Sequence, residues 1–167
     1  MIKLNVAEIK KTLVGESSFH YELRAADLNI KPEDLRVQDT IYVDGLVANG
    51  GDVILLKAHL RTKVKRQCGR CLKEFVAVSE ADVDERFYPA ETEGLEIDAF
   101  TYQFDIVDIT EVLREGLLLA EPITVLCKKD CKGLCPVCGV DRNVTECHCE
   151  TRAIDPRLIA LQELLHK

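Results

Sequence analysis

Six of the chain's eight cysteines fall within 23 residues: Cys127, Cys131, Cys135, Cys138, Cys147 and Cys149. The centre of this run reads Asp130-Cys-Lys-Gly-Leu-Cys-Pro-Val-Cys-Gly139, and Cys147-His-Cys149 follows it. Two residues between Cys135 and Cys138 let both sulfurs reach one tetrahedral ion. Pro136 pre-sets the turn, and Gly139 supplies positive φ, so that backbone amides turn toward the sulfurs. A closed structural site takes four ligands. Cys135 and Cys138 are expected to supply two, joined by Cys131 and by one or both of Cys147 and Cys149. Cys127 ranks last, and His148 is expected to point outward, with a ligand role as its alternative. Leu134, Val137 and Val140 offer little apolar surface, so a metal must fix the segment. Structural zinc supplies roughly 10–16 kcal/mol in small modules. The expected cofactor is structural Zn2+ with no open coordination position. Disulfide pairing is the competing use of the same thiols.

The compartment separates those uses. The first eight residues, Met1 to Glu8, are too polar for the apolar region of a signal peptide. No apolar run approaches the ~20 residues that span a bilayer. A cytoplasmic location is therefore expected, where thiols stay reduced and clustered cysteines hold metal more often than each other.

Charge is distributed unevenly. The formal net charge is −7, which argues against general nucleic-acid affinity. Residues 53–73, however, carry Lys57, Arg61, Lys63, Lys65, Arg66, Arg70 and Lys73 with no acidic residue, a local +7 that leaves −14 for the rest. Such separation creates local fields that the total conceals.

The first part of the chain reads as β-rich after a short opening segment. Phe19 to Arg24 and Thr40 to Val47 are predicted strands, and Ala48-Asn-Gly-Gly-Asp52 is a hairpin turn. From Val53 to Arg66 the alternation is clear. Leu56, Ala58, Leu60, Thr62 and Val64 face one way, and Lys57, His59, Arg61, Lys63 and Lys65 the other. Leu72 to Val78 is a return strand. The acidic residues 80–98 read as a surface loop, and Phe100 to Phe104 as a short strand. Asp108 opens a helix, with Glu111 completing a capping-box-like start. Its apolar stripe is Ile109, Val112, Leu113, Gly116, Leu117 and Ala120, stopped at Pro122. Leu118 and Leu119 fall outside that stripe and need a second buried face or a partner. A final helix is expected from Asp155 and Pro156, with Leu158, Leu161 and Leu165 on its apolar side.

Cys68 and Cys71 form a separate Cys-x-x-Cys with three readings. A redox dithiol suits the residues, but that motif belongs at a helix N-terminus in a βαβ pattern, and both flanks here read as strands. A second zinc knuckle can be completed by two tail cysteines. A tight turn with two half-buried free thiols is the plainest account. The basic stripe is the best functional surface, since alternate strand positions lie about 6.5–7 Å apart, close to the phosphate repeat of one nucleic-acid strand. Against this, lysines on a solvated strand also protect sheet edges, and no interleaved aromatics offer a base-stacking platform. The acidic stretch from Glu80 to Asp98 can also fold back and neutralise the stripe. No nucleophile with a partnered base and no glycine-rich phosphate loop stands out, so an enzyme is not expected.

Cys68-Gly-Arg-Cys-Leu72, the helix from Asp108 to Pro122, the Asp130–Gly139 segment, Cys147-His-Cys149 and Ile154-Asp-Pro-Arg-Leu158 together resemble the YceD family, linked to accumulation of large-subunit ribosomal RNA. The likeness covers the C-terminal two thirds of the chain. Arg142 departs from it, standing where relatives more often place an apolar residue. The resemblance implies a non-enzymatic role in ribosomal RNA processing or large-subunit assembly. It also implies that the zinc module organises the C-terminus and is not the seat of activity.

The expected architecture is α+β: a curved, mainly antiparallel sheet with one or two packed helices and a small C-terminal zinc-stapled module. Residues 1–122 would form the core domain, and 123–167 the cysteine-rich module with the last helix. The expected partner is large-subunit ribosomal RNA or a pre-ribosomal particle, gripped at phosphates by Lys57, Arg61, Lys63, Lys65, Arg66 and Arg70. No membrane and no small-molecule substrate are expected. One alternative is an adaptor that docks an assembly-factor protein through Leu118, Leu119 and the acidic loop without touching RNA. Another is a thiol oxidoreductase using Cys68 and Cys71.

Overall fold

Strand alternation and one helical stripe build an α+β fold, seen in a computed structural model that describes residues 1–12 and 14–150. The expected final helix with Leu158, Leu161 and Leu165 lies outside the described residues. These residues form two compact units. One, the sheet unit, comprises Met1–Arg66 and Phe75–Ile123; the other, the cysteine unit, joins Gln67–Glu74 to the chain from Thr124 onward.

The sheet unit holds a five-stranded sheet in the order β2-β3-β4-β5-β6. Its strands are β2 (Glu16–Leu23), β3 (Ile41–Asn49), β4 (Ile54–Gln67), β5 (Glu74–Pro89) and β6 (Phe100–Tyr102). β2 pairs with β3 and β3 with β4 antiparallel, whereas β6 runs parallel to β5, Phe87 opposite Phe100. The β3–β4 hairpin turns where Asn and Gly predict it. Asn49 Oδ1 accepts the Gly51 amide at 2.9 Å, and Gly51 takes φ +89°. A separate antiparallel pair joins β1 (Lys3–Asn5) to β7 (Ile106–Asp108). Between β1 and β2 lies one helical turn, α1 (Ala7–Lys10).

On β4 the predicted parity holds: Ile54, Leu56, Ala58, Leu60, Thr62 and Val64 are buried. The region predicted as a loop needs correction, because β5 continues through Glu80 to Pro89. Its inward parity is Ser79, Ala81, Val83 and Phe87, while Glu80, Asp82 and Asp84 face outward. Small inward side chains beside an acidic outward row give a weak hydrophobic alternation, which is why the strand hides in the sequence. Leu72 lies in the turn before β5, at φ 60°.

Helix α2 (Thr110–Leu119) buries Val112, Leu113 and Leu117 as the stripe predicts, and Ile109, just before its first turn, is buried with them. At Gly116 the helix comes so near β5 that a Cβ would sit 2.4 Å from Val83 Cγ2. The expected capping box is not formed. The Asp108 carboxylate instead accepts the Thr110 amide at 3.0 Å and its hydroxyl at 2.6 Å, and Glu111 pairs with Arg114. Leu118 is partly buried against the core, whereas Leu119 is 84% exposed.

Candidate metal centres

The β4–β5 connection folds back on itself. The Cys68 amide donates to Lys73 O at 2.9 Å and the Leu72 amide to Cys68 O at 2.9 Å. The later segment lies against this turn through backbone bonds: Gly69 N to Val125 O at 2.8 Å and Leu134 N to Arg70 O at 3.0 Å. Gly133 is needed at that contact. It has φ +71°, and a Cβ there would stand 3.0 Å from Arg70 O. Arg70 Nη1 donates to Cys131 O at 3.0 Å, tying the turn to the loop that carries the next thiol.

These bonds bring four sulfurs together. Cys68, Cys71, Cys127 and Cys131 place their Sγ atoms within 4.8 Å of one another, and three of the four residues are buried. Cys68 Sγ lies 3.8 Å from Cys131 Sγ, and Cys71 Sγ 3.6 Å from Cys127 Sγ. A tetrahedron with Zn–S bonds of about 2.3 Å has sulfur–sulfur edges of about 3.8 Å. The separations therefore fit four thiolates around one ion. All eight cysteines are free thiols.

Cys135, Cys138, Cys147 and Cys149 form a second group, their Sγ atoms also within 4.8 Å of one another, of which only Cys135 is buried. Its knuckle closes as Cys135 N donates to Val140 O at 2.8 Å and Gly139 N to Cys135 O at 2.9 Å, with Gly139 at φ +75°. Asn143 supports the Cys131 end of the first group. Its Nδ2 donates to Cys131 Sγ at 3.4 Å and to Asp141 Oδ1 at 2.7 Å, and its Oδ1 accepts the Lys132 amide at 2.9 Å.

The acidities of the thiols reflect this crowding. Amides of Cys71 and Cys127 hold Cys68 down to about 6, and amides of Cys138 and Val137 do the same for Cys135, also about 6. The later members are pushed the other way. Cys127 rises to about 12, chiefly by burial and then by its neighbouring sulfurs, and Cys149 to about 12, chiefly through Cys138. Each group thus holds one thiol that gives up its proton readily beside others, Cys127 and Cys149 foremost, that keep theirs, an imbalance that a cation removes.

This grouping corrects the expected one. Cys131 joins Cys68, Cys71 and Cys127, and is not in the group of Cys135, Cys138, Cys147 and Cys149. Cys127, ranked last from sequence, stands in the first group, and His148 belongs to neither and is exposed. The pairing of the Cys68/Cys71 turn with two tail cysteines was one of three open readings. Only chain folding decides it, because about 60 residues separate the halves. Asn143 was missed outright; an Asp-x-Asn turn between cysteines is its only sequence signal.

The basic residues take three different positions. On the outward face of β4, Lys57 pairs with Asp84 at 3.2 Å, Arg61 with Glu80 at 3.3 Å and Lys63 with Asp39 at 3.4 Å. His59 Nδ1 lies 2.8 Å from Asp82. Lys65 also has a partner. Arg66 is only 12% exposed and forks onto Glu121, at 3.0 and 2.5 Å, with a further bond to Ser79. Arg70 is held by the Cys131 carbonyl in the cysteine unit.

A profile described as "Large ribosomal RNA subunit accumulation protein YceD" matches residues 56–165, well over half of the chain. The chain belongs to the YceD family. It is 32% identical over 100 residues to the uncharacterized protein YlbN of Bacillus subtilis, a match covering 59% of this chain and 58% of that relative. It is 29% identical over 163 residues to the uncharacterized protein Rv2926c of Mycobacterium tuberculosis, covering 95% of this chain and 73% of the relative. The chain thus spans less than two thirds of YlbN. No solved structure matches it. The matched span contains both cysteine groups, β4 from Leu56 onward and all of β5. No helix among the described residues is long and apolar enough to cross a membrane.

Proposed function

We propose that this YceD-family chain is a non-enzymatic factor in the accumulation of large-subunit ribosomal RNA, with two structural zinc ions shaping a surface that meets RNA phosphates. The zinc assignment rests on two all-thiolate donor sets, each with its sulfurs within 4.8 Å of one another, which suit a soft, closed site. Bound zinc would hold the four thiolates of each group deprotonated and fix the loops between them.

The RNA assignment rests on which cations make no close ion pair. Lys73, Lys128, Lys129, Lys132 and Arg142 in the cysteine unit are exposed and make none among the described residues, although Lys128 and Lys73 act on Asp141 at longer range. Lys57, Arg61 and Lys63 each already face a carboxylate. They can meet phosphate only by exchanging that partner, and their pairs are exposed enough for salt to screen them. Arg66, nearly buried on Glu121, is a structural residue in this reading. First contact therefore falls to the lysines of the cysteine unit, with the β4 row secondary.

The test is filter retention of large-subunit ribosomal RNA fragments across a salt series, with zinc measured in parallel. Lys128→Gln, Lys129→Gln and Lys132→Gln together should flatten the salt slope by about two to three counterions while leaving zinc content unchanged. If these lysines serve only to balance the negative charge that four thiolates leave on a dication, zinc would be lost and RNA retention kept. That outcome rejects the RNA surface.

A further inference from the structure

Among the described residues, the outer edge of β5 is unpaired over most of its length. β4 lies on one side, but on the other β6 covers only Phe87 to Pro89. No other strand or isolated bridge among the described residues pairs with β5 there. Beside the bare stretch runs a groove of about 520 Å³ between β5 and α2. Val83, Phe100, Gly116, Leu119 and Ala120 supply its apolar lining, and Leu119 remains 84% exposed. A second hollow of about 760 Å³ continues it, sharing Asp84, Glu85, Phe100 and Glu115.

The charge on this groove is predominantly negative, with Arg86 the one cation lining it. Residues 80–98 carry eight carboxylates and one arginine, and the sheet unit as a whole has 22 acidic and 13 basic residues. Glu80, Asp82 and Asp84 are matched by β4. Glu85, Glu96, Asp98 and Glu115, which line the two hollows, make no ion pair among the described residues. An open strand edge accepts an extended segment through backbone hydrogen bonds, and flanking side chains choose which segment. A second copy is a poor occupant, because its β5 edge would set the same carboxylates against these. RNA is repelled for the same reason.

We propose that the β5 edge and its groove bind a lysine- or arginine-rich polypeptide segment as an added strand. Alternate positions of such a segment face opposite sides of the sheet. Cations on one parity meet the row Glu80, Asp82 and Asp84. Apolar residues on the other lie on Val83 and Leu119, and a cation at the end of that parity meets Glu85 and Glu115. This inference does not rest on the first RNA contact proposed for the cysteine unit, since Glu85, Glu115 and the β5 edge lie in the sheet unit.

The test uses the full zinc-loaded chain and a fluorescent peptide of about ten residues alternating lysine and valine, with lysine in place of the last valine so that one cation stands on the apolar parity, read by anisotropy at about 150 mM salt. A twin peptide, methylated on alternate backbone nitrogens, keeps the charge but loses strand pairing. The intact peptide should bind, the twin at least about fivefold more weakly, and Glu85→Gln with Glu115→Gln should weaken binding about as much. Amide shifts in the unaltered chain should concentrate at residues 80–86, a readout that needs no variant to fold. Equal binding of the twin, full binding by the double variant, or shifts centred elsewhere would overturn the proposal. RNA retention should be the same in the double variant, so the two readings fail separately.

Discussion

The sheet unit and the cysteine unit are held together by different physics. In the first, Val43, Leu56, Leu60, Phe87, Leu113 and Leu117 bury their side chains in one apolar cluster, all of whose members lie in that unit. In the second, the only buried hydrophobic-class residues among those described are Cys68, Cys71, Cys131 and Cys135; Leu72, Val137 and Val144 lie exposed. Burial stabilises at roughly 25 cal/mol per Å² of apolar surface, and a unit with so little of it cannot order its loops that way. One unit is thus specified by apolar periodicity, whereas the other gathers sulfur donors where a core would be.

The largest effect expected from that contrast is metal removal. A strong chelator should take two zinc ions per chain and collapse the dispersed amide signals of Gln67–Glu74 and residues 124–150, while signals from the apolar cluster persist. Zinc supplies roughly 10–16 kcal/mol in small modules, so no residual packing can compensate. Acid should do the same by degrees. Cys127 and Cys149, each at about 12 without a cation, must lose protons to bind one, so affinity falls as pH falls. The second group, with Cys138 exposed, should lose its ion first. Loss of both units together would break the comparison.

Next in size is the reverse experiment. Phe87 is 1% exposed and packs beside Phe100, with ring centroids 5.5 Å apart. Phe87→Ala should cost about 3–5 kcal/mol in chemical unfolding of the sheet unit. Zinc content measured under native conditions should stay at two ions per chain. A smaller effect is expected at the helix contact. Gly116→Ala forces Val83 aside at a cost of about 1–3 kcal/mol, offset by about 1 kcal/mol of helix propensity. Val83→Ala in the same chain should recover the clash term, so the two changes must be non-additive in a double-mutant cycle.

The same contrast explains what could be read from the sequence. β4 was legible because Leu56, Leu60 and Val64 alternate with charge, and α2 because Val112, Leu113 and Leu117 repeat at helical spacing. β5 was not, because Ser79 and Ala81 are too small to signal an inward face. The cysteine segment announced a metal site but not its membership. Cys131 lies four residues from Cys135 in sequence, yet its sulfur joins Cys68 across a separation of 63 residues. Local spacing identifies a knuckle; which cysteines come together depends on how the chain from β5 to α2 folds between them.

The smallest structural effect and the sharpest functional one are expected at the acidic row of β5. Glu80, Asp82 and Asp84 stand opposite Arg61, His59 and Lys57, with exposed side chains on both strands. Such pairs contribute little to stability, because solvent screens them and long side chains lose freedom in holding them. Changing the three to Gln, Asn and Asn should therefore leave the unfolding midpoint and the zinc content almost unmoved. It should release three β4 side chains for phosphate. If the β4 row reaches RNA, retention should rise and its salt dependence steepen, because cations freed from carboxylates displace more counterions. If phosphate contact lies wholly in the cysteine unit, the salt slope should not change. Binding of the lysine–valine peptide at the β5 edge should weaken in either case, since those carboxylates form one face of its site. One triple variant, read with two ligands, thus separates the proposed uses of the sheet's charge.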